Sequence, residues 1–373
     1  MSVAYVRDRD APLRPPPAGT TGPVGWLREN LFSNLGSSLL TLLLALALGY
    51  VLWSVLDWAV LRAVWTGADR EACAIADAGA CWPFVREKFP QWLFGFYPIS
   101  ERWRPIAAFV IGALALAPML MPSAGSKRWN AVFLLVAYPI LVVELLAGGM
   151  FGLPQVETAS WGGLMVTLVV AVTGIVFSLP LGILLALGRR SELPIVRSAS
   201  IAFIELWRGV PLVTVLFMAS VMLPLFLPSG ITFDKLVRAI VGLSLFASAY
   251  MAEAVRGGLQ AVARGQTEAG LALGLSRWQT TRKIVLPQAL RISIPNIVGI
   301  FIGLFKDTTL VLVVSIYDFL GIINAGMQDP KWAAPQTANT GYFVAALVYF
   351  GFCFAMSRYA QFTETRLEQA GKR

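Results

Sequence analysis

The sequence predicts an all-α integral membrane protein with about eight transmembrane helices. Of its 373 residues, 57% are hydrophobic and 14% charged, a balance that leaves a water-soluble domain more apolar surface than it can bury. The apolar residues fall into long runs, and a helix needs about 20 of them to cross the hydrocarbon core with its backbone groups satisfied internally. The Lys and Arg residues behind the net charge of +9 sit in short clusters between those runs. A nucleic-acid-binding protein would gather them on one face, so a membrane fits better than nucleic acid.

The chain opens with Arg7, Asp8, Arg9, Asp10 and a Pro-rich stretch from Pro12 to Pro17, then Pro23. It has no apolar core and no small-residue cleavage site, so residues 1–30 read as a disordered tail and not as a cleaved signal peptide. Eight spans are predicted over 31–56, 105–121, 130–150, 164–187, 210–227, 236–255, 292–314 and 342–359, with a short tail over 367–373. Placing the N-terminus in the cytoplasm puts most of the 30 Lys and Arg on the inner side. These include Arg28, Lys127, Arg128, Arg189, Arg190, Arg197, Arg208, Arg256, Arg277, Arg282, Lys283 and Arg358, and the positive-inside rule therefore favours both termini inside. Trp26, Trp53, Trp58, Trp103, Trp129 and Trp161 fall near span ends, where indole rings prefer the interface.

Two connections are longer than a turn requires. The outer one, 57–104, carries Cys73 and Cys81, eight residues apart on the oxidising side; a disulfide and two unpaired thiols are both open, with the disulfide favoured. Cys353 falls inside the last span as a small apolar residue. The inner connection, 256–291, is charged and lacks Cys. With no His in the chain, His-based zinc sites and Ser-His or Cys-His nucleophile pairs have no material, and an enzyme is not expected. No P-loop Gly-x-x-x-x-Gly-Lys-Ser/Thr is present either.

The inner connection holds Glu268-Ala269-Gly270, then Gly274 after three residues, Ile284 after nine more, and Leu286-Pro287. Small residues at 269, 270, 272 and 274 leave one side of a short helix without bulk, while Leu271, Leu273 and Leu275 offer apolar anchors and Gly274 suits a helix C-cap. This pattern resembles the EAA loop of ABC importer permeases, with Gly270 in place of the second Ala. Around it, Ser248-Ala-Tyr-Met-Ala-Glu253, Arg256-Gly-Gly258 and Gly265-Gln266 resemble the polar amino-acid permeases. Arg208-Gly209-Val210-Pro211 and Lys306-Asp307-Thr308-Thr309-Leu310 are similar to motifs of the same family, the first with Val210 where the family has Thr. The three extra N-terminal spans and the Cys-bearing loop are similar to the M-type permease subunit of general L-amino-acid transporters.

The resemblance implies a type I ABC importer permease core of five helices over 159–366, preceded by three extra helices over 31–158. It implies that Glu268, Ala269, Gly270, Gly274, Ile284, Leu286 and Pro287 form the segment that docks on a cytoplasmic ATPase dimer, which binds ATP and Mg; no cofactor is expected in this chain. It further implies a second, different permease subunit, with a homodimer still open, and a periplasmic amino-acid-binding protein.

Charges at bilayer depth usually face a partner, a cavity or a pathway. Lys306 and Asp307 interrupt the seventh run and Glu253 lies near the inner end of the sixth; with Thr308, Thr309 and Tyr250 they are candidates to line an amino-acid route. Equally open is a structural role, Lys306 with Asp307 holding a helix break and Glu253 neutralising Arg256 one turn on. Arg208, Gly209 and Pro211 are assigned structural roles at the inner mouth, and Glu144 is expected against a neighbouring helix. Two other functions are open, a secondary amino-acid transporter and a non-transporting membrane scaffold. Two related halves would be expected of the first, and none is seen.

Overall fold

A computed structural model of the chain describes residues 22–121, 125, 127–228, 230 and 232–371, with side chains to residue 366. Residues 1–21, the greater part of the expected N-terminal tail, lie outside the described residues, as do 372 and 373. By contact the described residues divide into two units, those within 1–64 together with 75–80, and those within 65–74 together with 81–373.

In the first unit, α1 (Gly22–Asn30) is helical where the tail was expected to be disordered through residue 30; Pro23 in its first turn presets the helical φ. The second helix, α2 (Leu35–Leu56), begins at a capping box, Asn34 Oδ1 accepting from the Ser37 amide at 2.8 Å and Ser37 Oγ from the Asn34 amide at 3.2 Å. A π-turn, Asp57–Leu61, extends it, so the first span runs Leu35–Leu61.

The second unit begins with α3 (Arg70–Cys73), N-capped by Asp69, and a disulfide joins Cys73 to Cys81 with Cα atoms 5.7 Å apart. Next, α4 (Trp82–Phe94) ends at Gly95, whose φ of +64° favours glycine; a Cβ there would lie 2.4 Å from Gly162 Cα. Helix α5 (Trp103–Leu120) pairs with a span built from α6 (Lys127–Val132), a π-turn and α7 (Tyr138–Ala147). Arg104, fully buried, ties the two together by donating to the carbonyls of Leu145 (2.6 Å) and Pro154 (2.8 Å). Glu144 is also buried, but it does not serve a neighbouring helix. Its carboxylate accepts from the amides of Met150 and Phe151, closing the end of its own helix.

The remaining helices are α8 (Gly163–Arg189), α9 (Pro194–Gly209), α10 (Leu212–Phe217), α11 (Leu223–Phe226), α12 (Lys235–Ala261), α13 (Arg264–Ala272), α14 (Arg277–Thr280), α15 (Leu286–Asp307), α16 (Phe319–Met327) and α17 (Pro335–Gly371). Small residues let α12 approach its neighbours closely. A Cβ on Gly182 of α8 would lie 2.6 Å from Met251, and one on Gly258 of α12 would lie 2.3 Å from the Ala289 carbonyl of α15. Asp318, fully buried, caps α16 and accepts from Tyr349 Oη of α17 at 3.0 Å.

Among the described residues seven helices are long and apolar enough to cross a membrane, or eight if one bent pair counts as a span. That pair corrects the predicted span over 210–227: α9 and the segment 212–226 meet at a bend of 104°. Pro211 lacks the amide that a continuous helix would need there, and it disfavours helical geometry at Val210, which is extended (ψ 134°). The expected inner connection of 256–291 is also shorter. Helix α12 runs on to Ala261 and the next long helical stretch starts at Arg277. At the far end α17 remains helical to Gly371, so residues 367–371 continue a helix where a tail was expected.

Candidate functional site

Two features of the core stand out. One is α13 itself, held in the connection between α12 and α15. Its termination is a Schellman arrangement: the Gly274 amide donates to the Leu271 carbonyl (2.9 Å) and the Leu275 amide to the Gly270 carbonyl (3.2 Å), with Gly274 at φ +79°. A Cβ at 274 would meet nothing within 4 Å, so in this chain the requirement for glycine is conformational and not steric.

The small residues at 269, 270, 272 and 274 do not share one open face. Gly270 is buried, and a Cβ there would lie 2.6 Å from Thr280 Cγ2 and 3.1 Å from Ile284 Cδ1. Its smallness therefore serves packing of α13 onto α14 and the π-turn 281–285, while Ala269, Ala272 and Gly274 are exposed. Leu273 is 80% exposed, Trp278 61% and Leu271 42%, which leaves an apolar tip facing outward, Leu273 and Trp278 its most exposed members. Glu268 is exposed in the second turn of the helix, with no side-chain partner among the described residues; the N-cap position is Ala263, which has no side chain to cap with. Ile284 is half-buried under α13, Leu286 half-buried at the start of α15, and Pro287 exposed.

The second feature is a cavity of about 350 Å³. Leu212 of α10, Phe246 and Tyr250 of α12 and Gly303 and Asp307 of α15 line it, and among the described residues Asp307 is its one charged lining residue. Helix α15 runs unbroken through Lys306 to Asp307 and tightens to a 3₁₀ turn over Thr308–Val314, so the two charges mark a change of helix type, not an interruption. Lys306 is exposed and does not line the cavity. Nor do the threonines: Thr308 is buried and donates to the Phe305 carbonyl (2.7 Å), and Thr309 donates to the Lys306 carbonyl (2.9 Å).

One turn beyond Tyr250, Glu253 is the centre of an ion-pair cluster. Its carboxylate accepts from Nε and Nη2 of Arg256 (3.0 and 2.7 Å) and from Nη1 of Arg189 (3.1 Å), and it lies 3.6 Å from Nη1 of Arg208. Arg189 also pairs with Glu205 at 3.0 Å. The guanidinium of Arg208 sits over the Tyr250 ring, 5.6 Å from its centroid. Glu253 therefore meets Arg256, as the structural assignment had it, together with two further arginines from α8 and α9. Gly209 and Pro211 form the bend that carries Arg208 to this position. Sequence reasoning missed Arg189 and Glu205 as members of the cluster because they lie on other helices and form no local motif with Glu253.

The chain is 48% identical to the inner membrane amino-acid ABC transporter permease protein YhdY of Escherichia coli K12, over 95% of this chain and 96% of that one. It is 39% identical to the glutamate/glutamine/aspartate/asparagine transport system permease protein BztC of Rhodobacter capsulatus, over 98% of this chain and 99% of that one. A solved structure of an amino acid ABC transporter with histidines aligns with a TM-score of 0.49 at 26% identity, covering 55% of this chain and 92% of that one. Residues 178–369, which include α13, the cavity and all five side chains of the ion-pair cluster, match the family described as the binding-protein-dependent transport system inner membrane component, and the chain belongs to that family.

Proposed function

We infer that this chain is the permease subunit of an ABC importer that moves L-amino acids from periplasm to cytoplasm, with both termini in the cytoplasm and ATP hydrolysed by a separate ATPase dimer. The amino-acid cargo follows the two full-length relatives, whose names specify amino acids. The observation that carries the coupling role is positional. Helix α13 presents an exposed apolar tip and is strung between α12 and α15, the two helices that supply most of the cavity wall. A partner that grips Leu273 and Trp278 pulls directly on both walls. Glu268, Ala269 and Gly274 are exposed on the same short segment as Leu273, and Gly270 packs over Ile284 beneath it; Leu286 and Pro287 open α15, the helix that this segment leads into.

In this mechanism a periplasmic binding protein delivers the amino acid to the outer mouth, and closure of the ATPase dimer moves the docked segments of two permeases, the second a different subunit. Asp307 and Tyr250 line the route; Lys306, Thr308, Thr309 and Glu253 lie outside its wall. Reconstitution tests the assignment: uptake of amino acids into proteoliposomes should need ATP, the ATPase and the binding protein together. Uptake by the purified membrane subunits alone, driven by an ion gradient, would instead establish a secondary transporter.

A further inference from the structure

The cluster around Glu253 is not charge-balanced. Arg189, Arg208 and Arg256 face two carboxylates, Glu205 and Glu253, which leaves one positive charge in excess. The three arginines are not held equally. Arg256 and Arg189 make hydrogen bonds of 2.7–3.1 Å to Glu253, while Arg208 makes no hydrogen bond among the described residues and has only the 3.6 Å ion pair and the Tyr250 ring. Its side chain is 37% exposed and its five N–H donors, none of them in a hydrogen bond among the described residues, form a fork suited to an oxyanion. Its place beside the cavity is fixed from two directions. Tyr250 beneath it lines the cavity, and Leu212, four residues on, lines it too.

Taking the cavity as part of an amino-acid route, as above, we propose that Arg208 is a substrate-contacting residue that receives the α-carboxylate as the amino acid leaves the cavity toward the α13 end. Asp307 in the cavity wall has the opposite sign and suits the ammonium. Glu253 holds Arg208 in place while the route is empty. When a substrate carboxylate takes Arg208, Arg189 and Arg256 continue to satisfy Glu253, so no buried charge is stranded. A membrane phosphate is the other oxyanion that an arginine at this depth can meet.

The experiment uses the complete complex in proteoliposomes with its binding protein and ATPase. Arg208→Gln should lower the maximal uptake rate on the order of tenfold or more, the loss expected for a charge-assisted hydrogen bond. ATPase stimulation by the loaded binding protein should persist, and Arg208→Lys should restore part of the uptake. Arg208→Gln/Glu253→Gln should be no better than Arg208→Gln alone. Recovery of normal uptake in that double variant would make Arg208 only a structural partner of Glu253 and overturn the proposal, as would normal uptake by Arg208→Gln. Equal uptake by wild type and Arg208→Gln in purely zwitterionic vesicles, with a difference only when anionic lipid is added, would assign Arg208 to a lipid phosphate and overturn it too. Absence of amino-acid uptake by the wild-type complex would overturn the importer function itself, and this role with it.

Discussion

Gly274 offers a test that separates backbone geometry from crowding at α13. Its φ of +79° lies where L-residues other than Asn are disfavoured by roughly 1–2 kcal/mol. No atom of the chain lies within 4 Å of a Cβ at that position, so the cost to this chain is conformational. Losing the arrangement breaks the amide bonds from Gly274 to Leu271 and from Leu275 to Gly270, which fix the turn carrying Leu273. About 1–2 kcal/mol corresponds to a factor of roughly 5–30 in the population of the capped form. In a series of Gly274→Asn, →Ala and →Val, amide exchange at 274 and 275 should accelerate in that order. Stimulation of the ATPase in proteoliposomes should fall in parallel. Asn and Val variants equally defective in stimulation, with the two amides still protected, would refute the conformational account and put a close-packed partner surface in its place. Full stimulation by Gly274→Val would remove α13 from coupling.

Gly270→Ala should destabilise the seating of α13 by about 1–3 kcal/mol, since its Cβ would lie 2.6 Å from Thr280 Cγ2. Thr280 Oγ1 has no hydrogen-bond partner among the described residues, so adding Thr280→Ala should restore both amide protection and uptake. Glu268→Lys should leave amide protection in α13 unchanged, because Glu268 has no side-chain partner among the described residues, while the affinity of the permease for the ATPase falls in a binding assay. Outside the membrane, the hydrogen bond from Lys88 holds the Asp329 carboxyl below its usual range, so its contribution to the stability of the 82–94 segment is present above the ordinary carboxylate pKa and is lost as pH falls through the lowered value. For a partly exposed pair of this kind the contribution is about 1 kcal/mol, and amide exchange in 82–94 should show an acid-dependent rise that Lys88→Gln abolishes.

The spans were legible because bilayer crossing imposes length and apolarity on a single continuous segment, and the structure moves their ends by a few residues in most cases. The fifth was not, because hydropathy averages over Arg208-Gly209-Val210-Pro211 and cannot register that the chain turns through 104° there. Pro211 was the available signal. A proline directly after an extended residue ends a helix more often than it continues one, and the amphipathic stretch from Pro194 belonged to the same element. Asp318 and Tyr349 escaped notice for a different reason. Their 3.0 Å bond joins positions 31 residues apart, and neither residue type signals burial by itself.

The candidate site shows why motif spacing names residues more reliably than it assigns them roles. Gly270 and Gly274 belong to one pattern and were both expected to keep one face of the helix free of bulk, Gly274 also to cap it, yet a Cβ at the first collides with Thr280 and at the second meets open space. One glycine is required by packing within the chain and the other by a backbone dihedral, and only the three-dimensional neighbours distinguish them. The same holds for the charges. Lys306 and Asp307 stand out along the sequence because they interrupt an apolar run, but only Asp307 reaches the cavity. The denser electrostatic feature, around Glu253, draws Arg189 from 64 residues away and Arg208 from the far side of a bend. An ion pair three residues apart on one helix can be written down from sequence. An excess charge cannot, because it is a property of five side chains on three helices, and it appears only when those helices are packed.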